Sequence, residues 1–586
     1  MKQFQFEYTS VSDLKKDLDK IRISVRGIRQ SCMVFHIYSE LLSRDTVSEV
    51  CKQIKLSFPH ALYLGCSTSG NIMNGSFYGS DIVVICTVFE YETTRAEIMQ
   101  FELSNEAVPS IVDTLTDYVS KNPWVKTIEL LTTLRGMSMT EFCEKISNLP
   151  PHIKIFGGGA FSPDMGNAAC VFSGAGGYSS RGVVFLMTGG DDYHTYTTSI
   201  VGWKPLGRVF RVTSAKKNIL YELDGKPAFD TYYKYLHIKN NEHFFINSLE
   251  FPFIYESEGI MILRAPTACN PDGSLVMTSD IEENVDAHLS FGDPVTILDC
   301  VRESGLSIQT FRPDVISVFS CAARRTFWGN EDVSSETVPL DQIAPTFGFY
   351  TSGEFLRTGK RLIQHNVTLV LCAQREGDRE ELTEEEIELY REENFTGRVS
   401  MIQRLATFID AATQELEEAN QKLAYTAVTD GLTGLYNRSE IQRRITSTAR
   451  ELGSGDILTL AMIDIDNFKS INDTYGHDEG DCVIRRLSGL LRNISDSASG
   501  KITAGRWGGE EFMLMIEGSD AETSRELVEK LRAEFSAITF EKAGNKTFSA
   551  GVTQSIFGED VKTLCMRVDD ALYEAKRTGK NKTVIF

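Results

Sequence analysis

The densest set of chemistry-bearing residues lies near the C-terminus, between residues 464 and 582. Leu460-Ala461-Met462-Ile463-Asp464-Ile465-Asp466 is an apolar, strand-like run ending in two alternating carboxylates. Period-two geometry predicts Asp464 and Asp466 on one face and Ile465 on the other. Arg506-Trp507-Gly508-Gly509-Glu510-Glu511-Phe512 places a Gly-Gly turn signal between two β-prone segments. Carboxylates at a strand end beside a Glu-bearing hairpin form a hard-oxygen site suited to magnesium, whose shell is normally completed by water and phosphate oxygens. Asn472 and Asp481 are residue types that can read a guanine, an amide toward O6 and N7 and a carboxylate toward the N1 and N2 donors. Tyr573-Glu574-Ala575-Lys576-Arg577-Thr578-Gly579-Lys580 closes an amphipathic helix with cations and a Gly stop. Those cations complement a helix dipole or clamp a phosphate.

The elements that must position these groups are legible around them. The chain has 586 residues, 81 Asp plus Glu against 60 Lys plus Arg, and a formal charge of −21. At roughly 150 residues per domain, the length suggests about four domain-sized units. The negative charge argues against a general nucleic-acid binder, which needs a basic surface, so no DNA partner is expected. Residues 376–427 hold 14 acids and 5 bases, whereas residues 428–586 hold 25 and 21. The acidic stretch reads as a connector between better-balanced globular parts. Within it Ile402, Ile409, Leu416 and Leu423 repeat by seven, as do Leu405, Ala412, Ala419 and Thr426. That a/d seam over 399–428 reads either as one amphipathic helix packed on its own domain or as a short parallel coiled coil making a homodimer.

The first 375 residues alternate β-rich runs with Gly-containing turns. Ala61–Ile72, with Gly65 and Thr68-Ser69-Gly70, echoes Ala344–Phe355, with Gly348 and Thr351-Ser352-Gly353. Each is followed by an apolar run ending in Cys, Cys86 and Cys372. The echo predicts two related α/β halves. No stretch approaches the ~20 apolar residues of a spanning helix, and MKQFQFEYTS has no secretory h-region. Twelve cysteines without CxxC or zinc spacing read as buried thiols in a reducing cytoplasm.

The C-terminal motifs, in this order and spacing, resemble the GGDEF family of diguanylate cyclases. The match opens with Asp430-Gly431-Leu432-Thr433-Gly434-Leu435-Tyr436-Asn437-Arg438 and covers about 428–586. The resemblance implies a palm-like cyclase fold with a central antiparallel sheet. It implies that Asp464, the Ile465 carbonyl and Glu510 hold magnesium or manganese, and that Glu510, with Glu511 beside it, activates the attacking hydroxyl. Asn472 and Asp481 would recognise guanine, His477 would line the GTP site, and Phe468, Lys469, Lys576 and Lys580 would lie along the phosphates. Two GTP would give cyclic di-GMP and pyrophosphate; one domain cannot present both nucleotides, so two must face each other. That requirement favours the coiled-coil reading of 399–428. Lys580 stands where most of the family has Arg, keeping charge but losing the bidentate fork. The family's inhibitory RxxD falls at Ser499 and Ile502, so no feedback by product is expected there.

Residues of about 30–375 resemble the FIST sensory module. The phrases are Gly65–Gly70, Phe156-Gly157-Gly158-Gly159-Ala160, Gly202–Gly207, Leu223–Ala228, Ser320-Cys321-Ala322-Ala323-Arg324 and Gly348–Glu354. The resemblance implies a sensor of a small ligand, an amino acid among the options. Arg324 and Glu354 are the ligand-contact candidates; Cys66 and Cys321 read as small apolar residues, and Gly157–Gly159 as a tight turn rather than an anion cradle. The expected organisation is α/β and α+β multidomain: residues 1–220 and 221–375 as sensor parts, 376–427 as acidic linker and coiled-coil helix, and 428–586 as the cyclase domain. A non-catalytic GTP-binding regulator is the alternative, opposed by the intact Asp464, Asn472, Asp481, Glu510 and Glu511.

Overall fold

The structure is a computed structural model that describes the chain apart from residues 28–31, 41–42, 80–81, 135–138, 163–168, 381, 384–385, 388–400, 454 and 498–500. Ser499 and the start of the predicted seam, 399–400, lie outside the described residues. Two compact units result, Met1–Thr413 and Gln414–Phe586.

The first unit is built from one motif used three times. The first copy runs Lys2–Tyr8, helix Val11–Ser24, Cys32–Ser39, helix Arg44–Ser57, Leu62–Ser67, hairpin Asn71–Met73/Ser76–Tyr78 and Ile82–Phe89. The second runs Arg95–Glu102, helix Val108–Lys121, Val125–Thr132, helix Met139–Ile146, Lys154–Gly159, hairpin Val171–Ser173/Gly177–Ser179 and Gly182–Gly189. The third runs Tyr193–Ile200, helix Pro294–Phe311, Val315–Cys321, helix Ala322–Asp332, Thr346–Thr351, hairpin Glu354–Thr358/Arg361–His365 and Leu369–Glu376. In each, the third strand lies parallel to the second, and the last returns antiparallel to it. Each hairpin leaves its own sheet and pairs with another copy's parallel strand: the first with Thr346–Thr351, the second with Leu62–Ser67, the third with Lys154–Gly159. The exchange is cyclic, so three six-stranded sheets have the same internal order. They share one apolar core, to which Tyr38, Leu131 and Phe319 contribute from equivalent positions.

The two segments paired by the sequence echo are equivalent strands, and Lys154–Gly159 is a third. One glycine in each, Gly65, Gly157 and Gly348, lies opposite Ile37, Leu130 and Val318. A Cβ at any of the three would overlap that partner's carbonyl oxygen, so the position admits only glycine. An insertion, residues 203–292, interrupts the third copy; it enters and leaves at registered partners, Trp203 and Gly292. It forms an eight-stranded sheet with its own core.

In the second unit the sheet order is Ile502–Gly508, Glu511–Glu517, Leu458–Ile465, Phe548–Gln554, Thr583–Ile585, antiparallel except for the last pair. Alternation sends Leu458, Leu460 and Met462 into one core with Ile441, Val568 and Leu572, and Ala461, Ile463 and Ile465 into another with Val483, Leu487 and Val528. The strand is thus covered on both faces and delivers Asp464 at its end. Met401–Val428 is a single helix. Its seam residues Leu405, Ile409, Leu416 and Leu423 are exposed, an apolar face left open among the described residues. No described helix is long and apolar enough to cross a membrane. Most cysteines are buried or half-buried, but Cys482 is exposed, contrary to the expectation of uniformly buried thiols.

Candidate active site

Asp464 lies between Glu511 and Ser549 in the sheet register. Lys576, in the last turn of helix Val561–Arg577, reaches it with Nζ 2.7 Å from Oδ2. The Asp464 carboxyl is pushed up to about 6, chiefly by burial, with Glu510 and Glu511 adding to the rise and Lys576 opposing it. The strand end therefore concentrates negative charge that only a nearby cation makes tolerable. Lys576, expected along the phosphates, is instead engaged with this carboxylate.

The Glu510-Glu511 turn is held from beneath. Arg506 donates from Nε and Nη2 to the Gly509 carbonyl at 2.9 and 2.7 Å, and from Nη1 to both Asp430 oxygens at 3.1 Å. Asp430 also accepts from Thr433 N and Oγ1 at 3.0 and 2.7 Å. Tyr436 N donates to the Ala504 carbonyl of the hairpin edge, Arg506 N donates to the Tyr436 carbonyl, and Asn437 donates from Nδ2 to the Ala427 carbonyl at 2.7 Å. A continuous set of hydrogen bonds thus joins the last turn of helix Met401–Val428 to the glutamate turn. Sequence reading missed this role of Asp430 and Arg506; the available signal was an Arg two residues before the Gly-Gly pair and an Asp three residues before Thr433.

Asp466 does not share the Asp464 face as a free ligand. The strand ends at Ile465, and Asp466 turns to accept from Thr547 Oγ1 and Ser549 Oγ, both 2.7 Å, and Asn581 N, 3.1 Å. Lys580 donates to Asn467 Oδ1 at 2.6 Å. Phe468 is buried at the start of the next helix, and Lys469 and His477 are exposed. Gly480 packs so closely on Asn472 Oδ1 that a Cβ there would overlap it. Among the described residues the buried Asn472 Oδ1 has no hydrogen-bond partner, and Asp481, half-exposed and next in sequence to Gly480, has Arg485 at 3.8 Å. A buried amide oxygen left without a partner is what a polar base edge would satisfy. Ile502 begins the hairpin's first strand.

Family comparison gives a diguanylate cyclase, GGDEF domain over residues 427–582, a FIST N domain over 33–226 and a FIST C domain over 228–357. The chain carries a GGDEF domain behind FIST N and FIST C domains. It is similar to diguanylate cyclase DgcP of Pseudomonas aeruginosa, 40% identical over 171 residues, 28% of this chain and 24% of that protein. It is similar also to diguanylate cyclase VdcA of Vibrio cholerae, 34% identical over 185 residues, 30% of this chain and 53% of that protein. The chain thus spans about a quarter to a half of these relatives' length. Among solved structures, the coiled coil and GGDEF domain of DgcB from Caulobacter crescentus, in complex with c-di-GMP, is 31% identical and covers 32% of this chain and 100% of that chain, with a TM-score of 0.30.

Within the GGDEF domain, no ready-made cluster of three His, Cys, Asp or Glu side chains is present among the described residues. The donor set nevertheless fits a divalent cation. Asp464 is a hard-oxygen donor whose carboxyl feels both glutamates, and the Lys576 ammonium already sits on it as a counter-charge.

In the FIST part the two ligand-contact candidates are interior residues. Arg324 is fully buried; it grips Glu336 and donates to the Ile200, Val201 and Val367 carbonyls, with Trp203 under its guanidinium. Glu354 is fully buried, and burial holds its carboxyl well above the usual range; Thr351 and Thr368 donate to it. Neither presents a face to a ligand. Burial also raises the Cys66 and Cys321 thiols, which removes thiolate character.

Proposed function

We propose that the chain makes cyclic di-GMP from two GTP with release of pyrophosphate, under control of a small molecule bound by its FIST part. The observation that carries this reading is the convergence of Asp464, Lys576, Glu510 and Glu511 at one strand end, within a GGDEF domain whose Asn472 oxygen is orphaned. Magnesium or manganese, held by Asp464, the Ile465 carbonyl and Glu510, would neutralise phosphate charge and lower the barrier to deprotonating the attacking hydroxyl. Asn472 and Asp481 bind the guanine edge and so fix the nucleotide's direction. Phe468 and Lys469 run along the phosphates, joined by Lys580 and, once released from Asp464, by Lys576. Glu510, backed by Glu511, accepts the proton of the 3′-hydroxyl that attacks the α-phosphorus of the opposed nucleotide.

The opposed nucleotide belongs to a second copy. The exposed seam of Met401–Val428 supports a parallel homodimer through residues 399–428, and the hydrogen bonds from Ala427 to the Gly509 turn give it a direct mechanical line to the glutamates. A cytoplasmic location accords with a nucleotide substrate. The test is incubation of the protein with GTP and magnesium and chromatography of the products. Wild type yields cyclic di-GMP and Glu510→Ala yields none; GTP binding without product in wild type would instead establish a non-catalytic regulator.

A further inference from the structure

A cavity of about 400 Å³ lies within the FIST part where three elements meet. Its walls are helix Met139–Ile146 of the second repeat, hairpin Glu354–Thr358/Arg361–His365 of the third, and the insertion around Ile260–Arg264 and residues 279–282. The floor is Arg264, only 5% exposed. Its Nε donates to the Asp280 carbonyl at 2.6 Å, and its Nη1 to the Leu263 carbonyl at 2.8 Å and to Asn366 Oδ1 at 3.3 Å. Every one of these acceptors is neutral. Among the described residues no carboxylate lies within ion-pair distance of Arg264, and Nη2 makes no hydrogen bond.

Of the other buried guanidiniums in this unit, Arg324 is paired with Glu336, whereas Arg357 is held, like Arg264, by neutral carbonyls, those of Ser147, Leu149 and Pro150; of the three only Arg264 lines this cavity. A buried cation left without a counter-charge is costly, and its field is felt by neutral neighbours. Burial and then Arg264 push the His365 imidazole down to about 4, and Arg264 partly offsets the burial that raises the Cys143 thiol. Ile262 and Leu362 supply apolar lining, and Lys217, Arg361, Glu144, Asp280 and Glu282 add charges of both signs.

We propose that this cavity is the ligand site of the FIST part and takes a small organic carboxylate whose anionic end seats on Arg264. The bound carboxylate completes the missing ion pair, and its apolar body fills the space against Ile262 and Leu362. Because one wall belongs to the insertion and two to the repeats, occupancy ties the insertion to the repeat core. The assignment builds on the reading of these residues as a sensor, and binding is measured apart from synthesis so that the two can fail separately.

The experiment uses the full chain and a panel of aliphatic monocarboxylates, dicarboxylates and α-amino acids, with inorganic phosphate and chloride as separate arms, read by thermal shift and calorimetry. A carboxylate class raises the unfolding temperature saturably, and Arg264→Gln weakens its binding by at least about ten-fold. If Arg264→Gln fails to fold, Thr140→Trp decides: it places bulk at the exposed mouth and weakens the same ligand. Binding unchanged in a folded Arg264→Gln, or in Thr140→Trp, overturns the site while leaving sensing intact. Stabilisation by phosphate or chloride alone, or by nothing in the panel, overturns the carboxylate assignment. A carboxylate that binds through Arg264 without altering cyclic di-GMP output leaves the site standing and overturns its sensory role.

Discussion

Gly348 sits with its α-carbon against the Val318 carbonyl, as Gly65 and Gly157 sit against Ile37 and Leu130. Around Gly509 no atom lies within 4 Å of where a Cβ would stand, and around Gly508 the nearest is Glu511 Oε2 at 3.6 Å. The FIST glycines exist because two backbones touch. The GGDEF pair leaves open space beside two glutamates, which is what a turn needs if a triphosphate is to lie on it. Similar letters therefore record close packing in one unit and room for a ligand in the other.

This contrast can be broken at graded cost. Gly348→Ala forces a methyl into a carbonyl oxygen between paired strands and costs about 3–5 kcal/mol; chemical denaturation of the N-terminal unit measures it, and a loss below about 1 kcal/mol would dissolve the distinction. The next effect tests how closed the FIST hairpin is around charge. His365 has its folded pKa lowered to about 4, so between that value and the ordinary 6.5 the unfolded chain takes up a proton that the native one refuses. Its stabilising contribution is complete above 6.5 and is lost as pH falls: about 2 kcal/mol should disappear between pH 7 and pH 5, and His365→Gln should flatten that slope. Gly509→Ala meets only backbone strain, its φ being 40°, and costs about 1 kcal/mol. Gly508→Ala, whose backbone needs no left-handed turn, changes stability by less than about 0.5 kcal/mol yet lowers cyclic di-GMP output. A variant that stays fully active would show that the space beside Glu511 is not used.

The placement of the candidate GGDEF residues was largely legible because it is local: a strand ending in Asp464, a Gly-Gly turn carrying Glu510 and Glu511, and Asn472 and Asp481 on consecutive helices. Asp466 misled, since period-two reasoning ends with the strand, and one residue later the chain turns its carboxylate to Thr547 and Ser549. In the FIST part, identity of Thr-Ser-Gly drew attention to two segments and hid the third. Residues 154–160 lack that tripeptide but retain what the packing demands, one glycine facing a carbonyl on a buried strand. Arg324 looked like a ligand contact because nothing in the sequence places Glu336, twelve residues on, against it. Arg264 passed unnoticed for the converse reason: a missing partner leaves no trace in a sequence.

The insertion has one more implication. Trp203 and Gly292 are register partners on adjacent strands, so the ninety-residue insertion from 203 to 292 begins and ends at the same place. In the first repeat the matching step, from the opening strand to its helix, takes only residues 9 and 10. The three interlocked sheets therefore do not depend on what is spliced in at that point. The scaffold can keep its geometry while a whole binding module is exchanged for another, which gives one fold a way to acquire new input signals by substituting a cassette rather than by remodelling a core.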